Sequence, residues 1–311
     1  MHSETGSILA AGLLTLACLA QPQTAPEATP VATIAFTEGP AADAAGNVYF
    51  TDLTSRRIFK LTSTGRLSTF RENSNGANGL AFDERGRLIA CEGGDPGRGV
   101  PPRVTRTDLG SGQVEVLGAE YQGRPLGAPN DVTVDGKGRI YFTDQGRTAA
   151  VYRIDAGGQI LRILAPPDIE KPNGIMISPD DRTLYLVESN QAEGGARLIR
   201  AYNLAADGTP HGMRVFHNFY PGRSADGLCI DSRGNLYAAA GLHRRRGTSE
   251  TLATSAGIHV FSPEGKPLRF ITIPEDTITN CAFGGPDMRT LYVTAGKTLF
   301  QVRTEFPGTR R

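Results

Sequence analysis

PNGIMISPDDRTLYLVE, Pro172 to Glu188, and ADGLCIDSRGNLYAAA, Ala225 to Ala240, share one order of residues. A Pro or Ala is followed by Asn or Asp, then Gly, an apolar run, a turn and a second apolar run. Four more stretches keep the polar opener, the two apolar runs and the turn between them: TEGPAADAAGNVYFTD from Thr37, ANGLAFDERGRLIACE from Ala77, PNDVTVDGKGRIYFTD from Pro129 and TNCAFGGPDMRTLYVTA from Thr279. Five positions after the polar opener stand Asp43, Asp83, Asp135, Ser178 and Asp231, side chains that close a turn on their own backbone. The sixth phrase has Gly285 there. A Gly, or an Asp or Met in the two longer turns, precedes the second apolar run. Each phrase therefore predicts a β-hairpin.

The openers fall at Glu38, Asn78, Asn130, Asn173, Asp226 and Asn280. About 280 residues shared among six units gives roughly 47 each, the size of a four-stranded propeller blade. RRIFKLTSTGRLSTF, AVYRIDAGGQILRIL and GIHVFSPEGKPLRFITI, lying between the hairpins, supply outer strand pairs. The chain thus reads as all-β, a six-bladed propeller of four-stranded blades over residues 31–311. VATIAF, from Val31, is placed to pair outside the C-terminal LYVTA and TLFQVRT strands and close the ring. Composition agrees: 38 glycines and 20 prolines are spread along 311 residues among Val, Ile, Thr, Tyr and Phe runs.

Thirty-three basic residues against 32 acidic leave a net charge of +1, which gives no overall field for nucleic acid. Residues 1–25 read as a signal peptide with a flexible lead-in. The apolar run from Ile8 to Ala20 is too short to span a bilayer and suits a leader core, although MHSETGS lacks Lys and Arg. Periplasmic or extracellular localisation follows from that reading, cytoplasmic localisation from its failure. A lipid anchor at Cys18 is the one membrane attachment considered, and Thr15, Leu16 and Ala17 before it match a lipobox poorly. Cys91, Cys229 and Cys281 sit in apolar runs with no metal-ligand spacing and read as buried hydrophobes; one disulfide among them is left open.

In a propeller the first strand of each blade lines the central tunnel, so the six openers meet at one mouth. A single Asn-Gly or Asp-Gly is explained as a turn residue. Six in register, with two carboxylates and four amides, demand hydrogen bonds or a counter-charge when brought together in a tunnel. An all-oxygen donor set without Cys or His favours Ca²⁺, with Mg²⁺ or Mn²⁺ as alternatives.

With these phrases the sequence resembles the gluconolactonase and regucalcin-like (senescence marker protein) family of calcium-dependent six-bladed propellers. The resemblance runs from about Val31 to the end. It rests on EGP at Glu38, NGLAFDERGRLIACEGG at Asn78, PND at Asn130, PNG at Asn173, ADGLCID at Asp226 and TNCAFGG at Asn280. It implies a metal held by Glu38, Asn173 and Asp226, with Asn130 binding it directly or through water or substrate; the related diisopropyl fluorophosphatase uses the two-Asn version.

The activity implied is opening of a lactone by water attacking a metal-polarised carbonyl. Asp226 is the candidate general base, and Asn78, Asn130 and His243 are the candidate substrate contacts. Ala128 stands where regucalcins carry an arginine, so sugar recognition of that style is not expected. A phosphotriesterase and a non-catalytic calcium-stabilised scaffold are the alternatives. GLHRRRGTSETLATSAG after the fifth hairpin and GGDPGRGVPPRVTRTD after the second read as rim loops, the first a candidate lid or anion-binding loop.

Overall fold

The computed structural model describes residues 1–2, 26–146 and 149–309. The leader core and Cys18 lie outside the described residues. Six four-stranded antiparallel sheets follow one another along the chain, and a one-turn 3₁₀ helix, Pro96–Arg98, is the sole helix among the described residues.

Each hairpin phrase forms the two inner strands of its blade. In blade 1 these are Thr37–Ala42 and Val48–Asp52; in blade 4, Pro172–Ile177 and Thr183–Ser189; in blade 5, Ala225–Ile230 and Leu236–Ala240. The turns between them form for the reason read from the residue types. Asp83 Oδ1 accepts the amides of Arg85 and Arg87 at 3.0 and 2.9 Å, and Asp231 Oδ1 accepts those of Arg233 and Asn235, both at 2.9 Å. The residue before the second strand is left-handed, as the turn needs: φ is +70° at Gly86 and +79° at Gly234, while Asp181 and Met288 take that place in the longer turns at +58° and +57°.

Burial falls from the tunnel outwards. All five residues of the second strand are buried in blades 1, 2, 3 and 5, whereas in the outermost strand of blade 5, Pro267–Thr272, only Ile271 is buried. Both faces of an inner strand are covered because neighbouring blades pack face to face. Val48, Phe50 and Leu61 of blade 1 meet Tyr292 and Leu299 of blade 6, and Ile89, Cys91 and Val104 of blade 2 meet Val132 and Phe142 of blade 3. Each such side chain contributes roughly 1.5–3 kcal/mol on burial, so the core is distributed among the interfaces between blades.

The innermost strands touch in sequence around the ring, that of blade 6 closing on that of blade 1. Blade 6 is completed by the N-terminus: Thr29–Thr33 pairs antiparallel with Thr298–Arg303, Thr29 opposite Gln301 and Thr33 opposite Thr298. The closing strand begins two residues ahead of Val31, because Thr29 and Pro30 still find partners on that edge.

Candidate active site

The first strand of each blade starts at one mouth of the tunnel, and the second returns to it. Connections after the second strand, and those leading into the next blade, therefore gather at the mouth where the openers stand. The openers do converge there. Asn173 of blade 4 hydrogen-bonds Asp226 of blade 5, and Glu38 of blade 1 feels the negative charges of Asp226 and Asp131. Glu38, Asn173 and Asn280 are buried; Asn78, Asn130 and Asp226 are partly so.

Close approach of the strands is possible because the residue after the opener is Gly39, Gly79, Gly174 or Gly227 in four blades. A Cβ on Gly39 would lie 2.0 Å from the carbonyl oxygen of Asn78, and one on Gly174 would lie 2.2 Å from that of Asp226. The other two blades carry Asp131 and Cys281 at this position. Asp131, only 6% exposed, is a third carboxylate in the ring. Its Oδ2 accepts the amide of Ile175 at 3.2 Å, and its Oδ1 faces Asn280 Nδ2 at 3.4 Å.

Arg223 supplies the counter-charge. It is 6% exposed, lies on the connection into blade 5, and donates Nη2 to Asp226 Oδ2 at 2.5 Å and Nη1 to the carbonyl of Ile278 at 2.8 Å. The carboxylates are nonetheless under strain of charge. Burial, helped by the like charge of Asp226, pushes Glu38 well above the usual carboxylate range. Burial pushes Asp131 up to about 7. Burial also raises Asp226, against the pull of Arg223 and Asn173.

Sequence reading counted two ring charges, Glu38 and Asp226; the structure adds Asp131 and Arg223. Asp131 had a signal, since its position is Gly in four of the six phrases. Arg223, three residues ahead of Asp226, had none, because only the fold turns its side chain onto that carboxylate.

His243, the expected substrate contact, is exposed and tied to its own surroundings. Its Nε2 lies 2.7 Å from the carbonyl of Ile273 and its amide bonds Asp276 Oδ1 at 3.2 Å, so the residue fastens its own loop. The side chain of that loop that faces the ring's charges is Arg246, which interacts with both Arg223 and Asp226. His217 and His259 lie away from the openers on the outer strands of blades 4 and 5, packed with Phe219 and Phe261, and burial lowers both.

The loop over 242–256 is a fixed wall. Arg197, 1% exposed, donates to the side chain of Ser249 and to the carbonyls of Ala192 at 2.8 Å and Pro221 at 2.9 Å. Asp276 holds the other end through the amides of His243 and Arg244, both at 3.2 Å.

Below the bond between Asp131 and Asn280 the tunnel opens into a cavity of about 230 Å³, with Ala42, Phe82, Leu228, Met176 and Met288 among its walls. Glu38, Asn173 and Asp226 are not among them; that chamber belongs to the far mouth. Cys229 and Cys281 line it as free thiols, Sγ to Sγ 3.1 Å, and Cys91 is likewise buried and free.

The donor set suits a hard divalent cation. When ionised, the three carboxylates exceed the guanidinium of Arg223 by two charges, and Glu38, Asp226 and the amides of Asn130 and Asn173 could offer oxygens. No group of three His, Cys, Asp or Glu among the described residues could hold an ion by itself, so amide oxygens are needed to fill a coordination shell here.

Comparison with known proteins agrees with the propeller fold. The SMP-30/gluconolactonase/LRE-like region matches residues 36–297. The chain belongs to that family. Gluconolactonase of Zymomonas mobilis is 27% identical over 317 aligned positions, covering 89% of this chain and 82% of that protein. The structure of a gluconolactonase from Xanthomonas campestris superposes with a TM-score of 0.74 at 27% identity, covering 91% of this chain and 90% of that one. A calcium-binding regucalcin from Agrobacterium tumefaciens, 22% identical over 92% of this chain and 97% of its own, shares the fold with a TM-score of 0.70.

Proposed function

We propose that this protein is a lactonase that works with a divalent cation, Ca²⁺ before Mg²⁺ or Mn²⁺, at the opener mouth. The observation that carries the reading is the convergence of Glu38 and Asp131, both buried, and the partly buried Asp226, carboxylates from three blades, on a ring where Arg223 makes an ion pair with Asp226. Family membership and the named lactonase relatives support hydrolysis of a cyclic ester.

Glu38, Asn173 and Asp226 would hold the cation, with Asn130 completing the shell. When bound, such an ion supplies Lewis acidity to the lactone carbonyl and charge to match the oxyanion formed there. Arg223 occupies Oδ2 of Asp226 and so fixes which carboxylate oxygen remains to face the ring. Asp226 accepts a proton from the attacking water and returns it to the ring oxygen as that oxygen departs. Asn78 and Asn130, partly exposed at the heads of their strands, would orient hydroxyl groups of the substrate. Water oxygen bonds to the carbonyl carbon, the ring C–O bond breaks, the ring oxygen leaves as a hydroxyl, and the new acid ionises with release of one proton.

Hydrolysis of a panel of aldonolactones, simple lactones and an organophosphate, with chelator and after restoring Ca²⁺, tests the reading. Lactones should be opened, chelation should abolish the rate and Ca²⁺ should return it. A rate indifferent to chelation would remove the cation from the reaction. Turnover confined to the organophosphate would assign a phosphotriesterase, and none at all a scaffold.

A further inference from the structure

Resting on the lactonase reading, the geometry points to an anionic substituent on the substrate, bound at the opener mouth by the guanidinium of Arg246.

Three observations carry it. First, the two arginines at this mouth are anchored side by side. Arg223 donates to the carbonyl of Ile278 at 2.8 Å, and Arg246 Nη2 donates to Thr277 Oγ1 at 2.6 Å. Thr277 and Ile278 are consecutive, three and two residues ahead of the opener Asn280. The support itself is held rigidly: Thr277 takes φ +61°, rare for a β-branched residue, with its amide on Asp276 Oδ1 at 2.8 Å and its carbonyl on the amide of Gly296 at 3.0 Å.

Second, the two differ in what they have left to bind. Arg223 is buried and spent on Asp226. Arg246 is half-buried and remains open to the mouth, and a guanidinium has five N–H donors of which the one toward Thr277 makes a short hydrogen bond. Its nearest carboxylate oxygen, on Asp276, is 3.9 Å away, and that carboxylate already accepts the amides of Thr277, His243 and Arg244. Glu250 likewise bonds Thr248 Oγ1 at 2.9 Å.

Third, the loop is tied down at two places. Arg197 and Asp276 hold it on both sides, so Arg246 is kept partly desolvated beside the like charge of Arg223, and both burial and that repulsion disfavour its charged form. An incoming anion relieves both costs, and a planar carboxylate, sulfonate or phosphate meets the fork in bidentate fashion. With Ala128 in place of an arginine at the Asn130 side, Arg246 moves the cationic contact to the opposite half of the mouth.

The test compares a neutral aldonolactone with the lactone of the corresponding aldaric acid, which adds a carboxylate, and with the 6-phosphorylated aldonolactone. Wild type should favour the anionic substrates in kcat/KM, with the preference shrinking as salt rises. Arg246→Gln should reduce the anionic-to-neutral ratio at least about tenfold, chiefly through KM, and Arg246→Lys should restore part of it. Which anionic arm loses more identifies carboxylate or phosphate as the group bound. Calorimetry of the open-chain aldarate dianion against the aldonate monoanion supplies a readout independent of turnover: the dianion should bind wild type more tightly, and Arg246→Gln should erase the difference. An unchanged substrate ratio, together with equal binding of the two acids by wild type, would overturn the proposal. If no lactone is opened, the lactonase reading fails, and the binding difference still decides whether Arg246 receives an anion.

Discussion

Asn280 Nδ2 reaches Asp131 Oδ1 at 3.4 Å, and the contact crosses the centre of the ring from blade 6 to blade 3. It places an amide donor beside a buried carboxyl that nothing else neutralises. Burial makes Asp131 keep its proton up to about 7, against the pull of the Ile175 and Val132 amides and of Asn280, whereas in the unfolded chain it would lose it near 4.

The sign of the pH dependence follows. A folded-state pKa above the unfolded one gives a contribution to stability that is complete below about 4 and lost as pH rises through about 7. Glu38 shifts in the same direction. In chelator the wild type should melt at a lower temperature at pH 8 than at pH 5.5. Asp131→Asn should flatten that slope and raise stability at pH 8 by roughly 1–3 kcal/mol. Added Ca²⁺ should raise melting more at pH 8 than at pH 5.5. A wild-type melting curve indifferent to pH would mean the three carboxylates are neutralised some other way.

Asp226→Asn keeps the size and one carbonyl oxygen while removing charge and basicity, and it leaves Arg223 without its ion pair. Turnover of a lactone should fall by roughly 10² or more, with the fold retained. Steady-state kinetics at saturating Ca²⁺, beside circular dichroism, checks both parts; near wild-type turnover would dismiss Asp226 as the base.

Glu38→Gln removes one ligand charge without touching the proton transfer. Ca²⁺ affinity should drop, so the mutant's melting temperature should respond only at much higher Ca²⁺ than the wild type's, in line with stabilisation by RT ln(1 + [L]/Kd). Saturating Ca²⁺ should then restore much of its lactone hydrolysis. If Ca²⁺ shifts melting in neither protein, the openers are turn residues and no more.

Two glycine substitutions should differ in kind. At Gly174 a Cβ would meet the backbone oxygen of Asp226 at 2.2 Å, which only a shift of the strand can relieve. At Gly227 it would meet the side-chain amide of Asn280 at 2.0 Å, and that amide can swing away at the expense of its contact with Asp131. Gly174→Ala should therefore cost about 1–3 kcal/mol or more, with weakened ion binding. Gly227→Ala should cost less and change chiefly the pH slope of melting. Equal losses in chemical denaturation would contradict this account of the two contacts.

The hairpins and their ring were legible because each rests on local chemistry repeated six times: an Asp or Ser at the turn, a left-handed residue after it, and two apolar runs. The strand that closes the ring was legible too, since edge pairing needs only a run of the right length near a terminus. Arg223 was not, and for Arg246 only its basic loop was marked as a candidate anion-binding loop, because a cation on a connection has no periodicity to betray it, and its partner is chosen by how the connections gather at the mouth. Asp131 lies between these cases. It departs from a glycine position, which marks it as unusual, but only the packed strands show that its carboxylate lies inside the ring and faces Asn280.

Thr29–Thr33, paired with Thr298–Arg303, sets a timetable for the molecule's birth. The first strand to leave the ribosome must wait for nearly the last before it finds its neighbour, so five blades stand complete beside an unfinished sixth. The mouth draws a side chain from every blade, and no growing chain shorter than about the sixth hairpin contains it. Synthesis thus ends before chemistry begins: a fragment that stops early is an incomplete arc with two raw edges and no chamber, and activity arrives in one step with the final strands.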